Sequence, residues 1–241
     1  MKKSITTYCF TKLIVLSFLL LSGIKMYSQE QETINEATLI KIDSLYREDQ
    51  FFFSFTYNTL QSKPSGFSQD KFSTGFSMGF LRDMPIKKDR TIAIATGLGF
   101  TYNNYIQNLA ITGTNQDAVY AIIDSDYNKN KFSQFLVDVP IEFRWRTSTY
   151  ESHKFWRIYG GVKFSYLLND RSLLNDSSGK NIIKGNKDFN KFLYGVYASV
   201  GYNTVNVYAY YGLNSMFKSA SIADKNIDMK ALNIGLVFYI L

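Results

Sequence analysis

Bulky apolar residues alternate with charged or small residues over most of the chain after residue 50. In VPIEFRWRTSTYESHKFWRIYGGVKFSY, residues 139–166, the first alternating set is Glu142, Arg144 and Arg146 against Ile141, Phe143 and Trp145. A period of two residues predicts β-strands, because successive side chains of a strand point to opposite faces. This segment therefore predicts two strands, each with a charged face and an apolar face, joined by a polar turn.

The same period predicts about eight strands between residues 50 and 241. They are QFFFSFTYN, FSTGFSMGFL, TIAIATGLGFTY, the two strands of 139–166, FLYGVYASVGY, VNVYAYYGLNS and KALNIGLVFYIL. One face is bulky and apolar, while the other mixes glycine, serine, asparagine, tyrosine and charged residues. A soluble sandwich buries its bulky residues and exposes lysine and glutamate, whereas small residues suit the crowded interior of a narrow barrel.

An apolar outer face around a polar interior is the pattern that lipid selects. Lipid offers no hydrogen-bonding partner for the backbone, so only a closed sheet can span a bilayer with strands. We therefore predict an all-β fold: an antiparallel, transmembrane, up-and-down β-barrel of about eight strands in the outer membrane of a Gram-negative bacterium.

The lengths of the connections support this prediction. Short links follow the second, fourth and sixth strands: DMPIKKDR, TSTYESHK and NTVN. Long polar links follow the odd-numbered strands, including QSKPSGFSQDK, residues 107–131 and NDRSLLNDSSGKNIIKGNKD. Outer-membrane barrels have short periplasmic turns and long external loops, so this parity predicts that both termini are periplasmic.

The N-terminus differs from the rest of the chain. Residues 1–28 combine a basic start, the apolar run LIVLSFLLLSGI and a small residue, Ser28, which together predict a secretory signal peptide. Residues 29–49 form an acidic periplasmic segment that fits either a short helix or a loose lead-in. Residues 50–241 form the predicted barrel.

Charge and cysteine content narrow the function classes. The chain carries a net charge of +7, but Lys2, Lys3, Lys12 and Lys25 leave with the signal peptide and no acid does. The mature charge of about +3 gives no electrostatic reason to expect a nucleic-acid partner. Cys9 is the one cysteine and also lies in the signal peptide, so the mature chain has no disulfide.

Charged residues on the inward face form the first candidate site. Buried charges must be paired, because an isolated ion inside a protein is costly. A register that places Glu142 opposite Arg157 predicts a Glu142–Arg157 pair and an Asp138–Lys163 pair, with Arg144 and Arg146 nearer the periplasmic mouth. The network is either a structural plug of the lumen or a polar path or gate. Pro140 lies within the same strand and predicts a bulge or local kink.

Aromatic residues near the strand ends form the second candidate site. Trp145 and Trp156 flank the TSTYESHK turn, and both occupy positions of the apolar face. Tyr102 and Tyr166 lie near the opposite ends of their strands. We interpret these four residues as interface belts, the first pair periplasmic and the second pair external.

The sequence predicts no catalytic residues, no cofactor and no metal site. His153 is the single histidine and lies in a predicted turn. Asp124, Asp126 and Asn128 alternate in a long link, but no glycine and glutamate follow at the spacing of a calcium-binding loop.

Two resemblances add to this reading. The C-terminal NIGLVFYI is similar to the signal read by the barrel insertion machinery, carried here by Asn233, Gly235, Phe238 and Ile240, although Leu241 rather than an aromatic ends the chain. The stretches YREDQFFFSFTYN, GFSMGFLRDMPIKKDRTIAIATGLGFTYNNYIQNL and VDVPIEFRWRTSTYESHKFWRIYGGVKFSY resemble PorT proteins, outer-membrane barrels associated with the type IX secretion system.

The resemblance to PorT implies a non-enzymatic accessory role in exporting proteins with a C-terminal sorting signal. Its expected partners are outer-membrane lipid, the barrel insertion machinery and other type IX secretion components. A small porin-like channel and a surface adhesion or structural barrel are the alternatives, and an enzyme is the last.

Overall fold

A computed structural model describes residues 49–69, 71–87, 89–124, 127–147 and 156–240. The predicted signal peptide, nearly all of the lead-in segment and most of the TSTYESHK turn, with His153, lie outside these residues. The described residues include no helix long and apolar enough to cross a lipid bilayer.

Eight long strands and five short ones make up the described fold. The long strands are β1 (Gln50–Gln61), β2 (Thr74–Pro85), β3 (Ile92–Ile106), β6 (Lys129–Arg146), β7 (Trp156–Asp176), β9 (Phe192–Tyr202), β10 (Val205–Gly212) and β13 (Lys230–Ile240). The short strands are β4 (Leu109–Gly113), β5 (Ala118–Ile122), β8 (Gly179–Lys184), β11 (Ser221–Ile222) and β12 (Lys225–Asn226).

The eight long strands form a closed antiparallel barrel, which confirms the predicted fold class. Each pairs with its neighbour in the order β6-β3-β2-β1-β13-β10-β9-β7, and β6 pairs with β7 to close the ring. The β1–β13 seam joins the two ends of the barrel sequence. Following the paired residues once around the barrel from Met84 of β2 leads back to β2 at Thr74. The start and end of this circuit are offset by ten residues along the strand. Such a stagger tilts the strands by roughly 35–45°.

The two ends of the barrel have different connections. One end, which we call the turn end, carries the described residues 86–87, 89–91, 147 and 203–204, together with the start of β1 and the end of β13. The other, the loop end, carries residues 62–73, 107–128, 177–191 and 213–229. The sequence placed the long links here as loops, but the structure extends β7 into one of them, where β7 pairs with β8, and folds another into the β4–β5 hairpin.

Side chains separate by polarity between the two faces of the sheet. Phe76, Phe143 and Leu236 are 46%, 52% and 42% exposed on the outer face. Glu142 and Arg157 are 1% and 2% exposed on the inner face. The predicted arrangement, apolar outward and charged inward, is therefore present, and it is the one suited to a barrel surrounded by lipid.

Of the two possibilities that Pro140 led us to expect in β6, a bulge or a local kink, the structure shows no bulge. The β3–β6 ladder skips Pro140, but the pairs on either side, Thr96 with Ile141 and Gly99 with Asp138, keep one register. The Thr96 hydroxyl donates to the Pro140 carbonyl over 2.9 Å. Proline has no backbone N–H to donate to the ladder, but its carbonyl oxygen is thus satisfied by a side chain of β3. The register shift in β6 and β7 lies elsewhere, between Phe135 and Leu136.

Two consecutive glycines of β7 differ sharply in the space around them. A Cβ atom on Gly161 would lie 2.1 Å from the Ile141 carbonyl oxygen and 2.9 Å from the Glu142 Cα atom. A Cβ atom on Gly160 would meet only the Tyr197 carbonyl oxygen, at 3.6 Å. Of these two glycines, only Gly161 therefore lets the β6 and β7 backbones approach each other closely.

We expect Gly161→Ala to lower the free energy of unfolding by about 1–3 kcal/mol, because the added methyl group pushes the β6 backbone away. Gly160→Ala is the matched control and should change it by less than about 0.5 kcal/mol. Urea unfolding of the two variants in lipid vesicles measures both effects. Equal unfolding midpoints for the two variants would contradict the tight approach at Gly161.

Candidate functional site: the interior of the barrel

An ionic cluster fills the interior at the turn end. The Arg144 Nη1 atom lies 2.9 Å from Asp83 Oδ1, and the Arg146 Nη2 atom lies 2.8 Å from Asp83 Oδ2. The Arg144 Nε atom donates to Glu142 Oε1 over 2.8 Å. All four side chains are essentially buried. One carboxylate on β2 thus joins two guanidinium groups on β6, with a second carboxylate completing the charge balance.

Small residues on the strand between β2 and β6 make this cluster possible. β3 lies between them, and Ala95 pairs with both Asp83 and Glu142 while Ala93 pairs with Arg144. Both alanines are fully buried. Because a methyl group fills little of the interior, the arginine side chains can reach across β3 to the carboxylate.

Further contacts tie the cluster to the rest of the barrel. The Tyr239 hydroxyl of β13 donates to Glu142 Oε2 over 3.2 Å. The Arg144 guanidinium lies 5.0 Å from the ring centroid of Tyr159 on β7, within the range of a cation–π contact. Arg146 Nε donates to the Arg90 carbonyl of the turn between β2 and β3 over 2.9 Å. The cluster therefore links four strands and one turn.

The predicted register, which places Glu142 opposite Arg157, is wrong. Glu142 stands opposite Gly161, and Arg157 stands opposite Arg146. The observed register differs from the predicted one by four residues, and an even shift leaves every side chain on its own face. Alternation of polarity therefore could not distinguish the two registers. The Arg157 guanidinium instead lies 5.9 Å from the Tyr239 ring centroid.

The second charged layer lies further toward the loop end, around Asp138. Lys163 Nζ is 3.6 Å from Asp138 Oδ2, so these two residues of the predicted network do lie together. Thr101 and Ser165 donate their hydroxyl protons to the same carboxylate. The Lys163 ammonium also lies 4.4 Å from the ring centroid of Tyr210. Side chains of β3 and β7, the two strands that flank β6, thus satisfy one buried acid of β6.

An aromatic core fills the interior at the loop end. Phe189 and Phe217 stack with ring centroids 4.7 Å apart, and Phe132 lies 5.5 Å from Phe189. All three are buried. Tyr120 packs edge-on to Phe217 at 5.7 Å, and its hydroxyl donates to Asp188 Oδ2 over 3.1 Å. Burial raises the pKa of Tyr120, so this hydroxyl stays protonated as a donor.

This core holds the loop-end connections together. Tyr120 belongs to the β4–β5 hairpin, Phe189 to the 177–191 connection and Phe217 to the 213–229 connection. Asn186 Nδ2 donates to the Tyr120 hydroxyl over 2.8 Å, and Ser219 Oγ donates to Asp188 Oδ1 over 2.7 Å. Three connections that the sequence left as long polar links are thus packed into one unit.

Two cavities lie on either side of Lys163. One of about 30 Å³ is bordered by Glu142, Asp138 and Tyr239, and another of about 20 Å³ is bordered by Gln134, Asn233 and Tyr105. A water molecule needs roughly 10–15 Å³ of such space. Each cavity therefore has room for at least one water molecule, and side chains from several strands line both of them.

The predicted interface aromatics all lie on the outer face. Trp145 and Trp156 are exposed at the turn end, and Tyr102 and Tyr166 are exposed nearer the loop end. The Trp156 ring packs edge-on to Tyr202 of β9 at 5.7 Å between centroids. Their roles as membrane belts stay predictions.

The four residues of the predicted insertion signal line β13. Asn233 is buried on the inner face, whereas Ile240 is exposed on the outer face and Phe238 is half-buried. A Cβ atom on Gly235 would lie 2.1 Å from the Phe55 carbonyl oxygen. Close packing against β1 therefore favours glycine at position 235. This packing reason is independent of recognition by the insertion machinery.

Asp83 is the functional residue that sequence reasoning missed. It was read as part of the short link DMPIKKDR, whereas β2 continues through it to Pro85. The signal was present in the alternation, since Leu81 and Asp83 are buried while Arg82 and Met84 are exposed. Had the alternating pattern been followed four residues further, to the end of β2, it would have placed Asp83 on the inner face as the acid that pairs with Arg144 and Arg146.

We expect Asp83→Asn to destabilise the barrel by about 3–5 kcal/mol, because it leaves two buried arginines with one carboxylate fewer. Arg146→Gln removes one of those arginines. The double variant should therefore lose less stability than the sum of the two single variants. Urea unfolding in lipid vesicles measures all three. Strict additivity would show that Asp83 and Arg146 are not energetically coupled.

Comparisons with known proteins give a family and two similar structures. A family model described as "Outer membrane protein beta-barrel domain" matches residues 27–218. A search of curated proteins finds no match. Crystal structures of Ail, the attachment invasion locus protein of Yersinia pestis, are similar at 10% identity over 81% of this chain and 100% of Ail. The TM-score is 0.41 for Ail in complex with the heparin analogue sucrose octasulfate and 0.38 for a second Ail structure.

Proposed function

Because this chain belongs to the outer membrane protein β-barrel domain family, we propose that it acts as a filled barrel whose loop end serves as a docking surface. The filled interior is the observation that carries this proposal. Charged side chains occupy the turn end and aromatic side chains occupy the loop end, and two cavities of about 30 and 20 Å³ lie between them beside Lys163. A channel would instead require an open, hydrated lumen.

The construction of the loop end supports a docking role. Phe189, Phe217 and Tyr120 hold three connections against one another before any partner binds. A surface that is already ordered loses little conformational entropy on binding, which favours affinity. A filled barrel topped by such a surface suits a protein that anchors or positions other proteins.

The resemblance to PorT supplies the pathway in this proposal. We place the protein as a non-enzymatic accessory of type IX secretion, with its partners among the other components of that system. The parity of the connections supports an orientation in which the loop end faces the outside and both chain ends face the periplasm. A surface adhesion or structural barrel would use the same loop end for a different partner.

A cysteine-labelling experiment tests the orientation. The predicted mature chain has no cysteine, so Lys225→Cys at the loop end and Lys87→Cys at the turn end each provide one thiol. Both lysines are exposed. In intact cells, a membrane-impermeant maleimide should label the first variant and not the second, and lysed cells should label both. Labelling of Lys87→Cys alone in intact cells would reverse the orientation.

A secretion assay tests the pathway. Deleting the gene should leave proteins that carry the C-terminal sorting signal in the periplasm, and the wild-type gene should restore their export. Replacing the exposed hairpin 221–226 with a Gly-Ser linker, which spares Met216 and Phe217 of the core, should weaken the restoration. The matched control is Lys87→Cys, which should restore export fully.

Three outcomes would contradict the proposal. Normal export in the deletion strain would remove the secretion role. Lost surface attachment with normal export in the hairpin variant would favour an adhesion barrel. Steady, ion-selective conductance of the purified protein in planar bilayers would show an open lumen and favour a channel.

A further inference from the structure

Beyond the lipid-facing band, three strands build a basic patch on the side wall of the loop end. The exposed apolar side chains of β6 and β7 end at Phe135 and Leu168. β6 and β7 continue past this boundary, and β8 joins them there by pairing with Arg171–Asp176 of β7. We call the outer face of this extension the side-wall patch.

The register places the residues of the patch in three rows. Ser133, Arg171 and Lys184 form the first, Lys131, Leu173 and Ile182 the second, and Lys129, Asn175 and Lys180 the third. Five of these nine residues are cations, and four of the five are exposed. None of the nine is an acid.

The cations of the patch have no ionic partner in the part of the chain that the structure describes. Arg171 and Lys184 stand directly opposite each other, an arrangement of like charges that destabilises a sheet. Two acids of β7 flank the patch. Asp170 is buried and lies 3.8 Å from Lys191 Nζ, and Asp176 accepts a hydrogen bond from the Ser178 N–H over 2.8 Å. Among the residues that the structure describes, no acid therefore forms an ion pair with these five cations.

The height of the patch identifies what surrounds it. Arg171 lies three residues beyond Leu168, which is about 10 Å along a strand. If acyl chains cover the apolar band, the side wall at this height faces the headgroups of the same lipids. Ile182 is 40% exposed between the cations, so the patch combines apolar and basic character as interfacial lipid-binding surfaces do.

We propose that the side-wall patch binds the phosphate groups of anionic lipid headgroups in the leaflet at the loop end. Phosphate oxygens would accept hydrogen bonds from Arg171 and Lys184 and remove the repulsion between them. The second and third rows place Lys131 and Lys129 where they meet a second phosphate of the same or a neighbouring lipid. This inference is linked to the proposed docking role in one respect. Lipid bound to the side-wall patch would hold the docking surface of the loop end at a fixed height above the membrane.

A binding assay in detergent tests the inference. The full mature protein in an uncharged detergent is titrated with diphosphorylated lipid A, and retained lipid is counted by native mass spectrometry. Arg171→Gln combined with Lys184→Gln should weaken binding by about tenfold or more. The matched control, Lys63→Gln combined with Lys71→Gln, removes the same charge from the 62–73 connection and should change binding less than twofold. The conservative pair Arg171→Lys with Lys184→Arg should retain binding.

Two further measurements test whether the bound phosphate belongs to a lipid and whether binding depends on charge. Dephosphorylated lipid A should bind far more weakly, and raising the salt concentration should weaken binding of the phosphorylated form. Displacement of the lipid by millimolar inorganic phosphate would assign the patch to a soluble anion and overturn the proposal. Equal binding by wild type and the Arg171 and Lys184 double glutamine variant would also overturn it.

Controls keep the outcomes distinct. All variants should show the same far-UV circular dichroism as the wild type, because the altered side chains are exposed on the outer face. The assay reads lipid binding without secretion, so lost binding with normal export, or the reverse, separates this inference from the proposed function.

Discussion

The closed ladder of backbone hydrogen bonds is the constraint on which the rest of this structure depends. Surrounding lipid offers no partner for an unpaired N–H or C=O group. All eight long strands are paired into a ring. In the β6–β7 pairing the backbones lie so close at Gly161 that an added Cβ atom would be 2.1 Å from the Ile141 carbonyl oxygen. Closure also divides every strand into a lipid face and an interior face, which decides where each residue type can lie.

The interior face then determines which side chains must find partners. Eight strands with a ten-residue stagger leave a lumen that side chains can fill. At the turn end the filling is ionic, with Asp83 held between Arg144 and Arg146. At the loop end it is aromatic, and the connections supply rings such as Phe189 and Phe217 that the strands do not provide. The two halves solve the same packing problem with different chemistry.

The sequence determines the faces of this barrel more securely than its register. Alternation predicted the strands and the inward position of Glu142, but a four-residue slip preserves alternation, so its partner could not be chosen. Asp83 was lost because the strand was ended too early. The aromatic core could not be anticipated, because Phe189 and Phe217 lie in irregular segments without a period, and only the folded barrel brings them together. The side-wall patch was missed for a related reason: β8 lies within a segment read as a loop.

The β1–β13 seam has a consequence for how this barrel is made. Phe51–Gln61 pair with Lys230–Ile240, so the ring is completed by contacts between the first and last strands of the barrel sequence. Contacts of such long sequence separation form slowly. Until β13 has been synthesised and delivered, β1 presents a free edge beside a row of phenylalanines, which is a template for aggregation. Biogenesis must therefore shield the nascent chain until its last strand arrives.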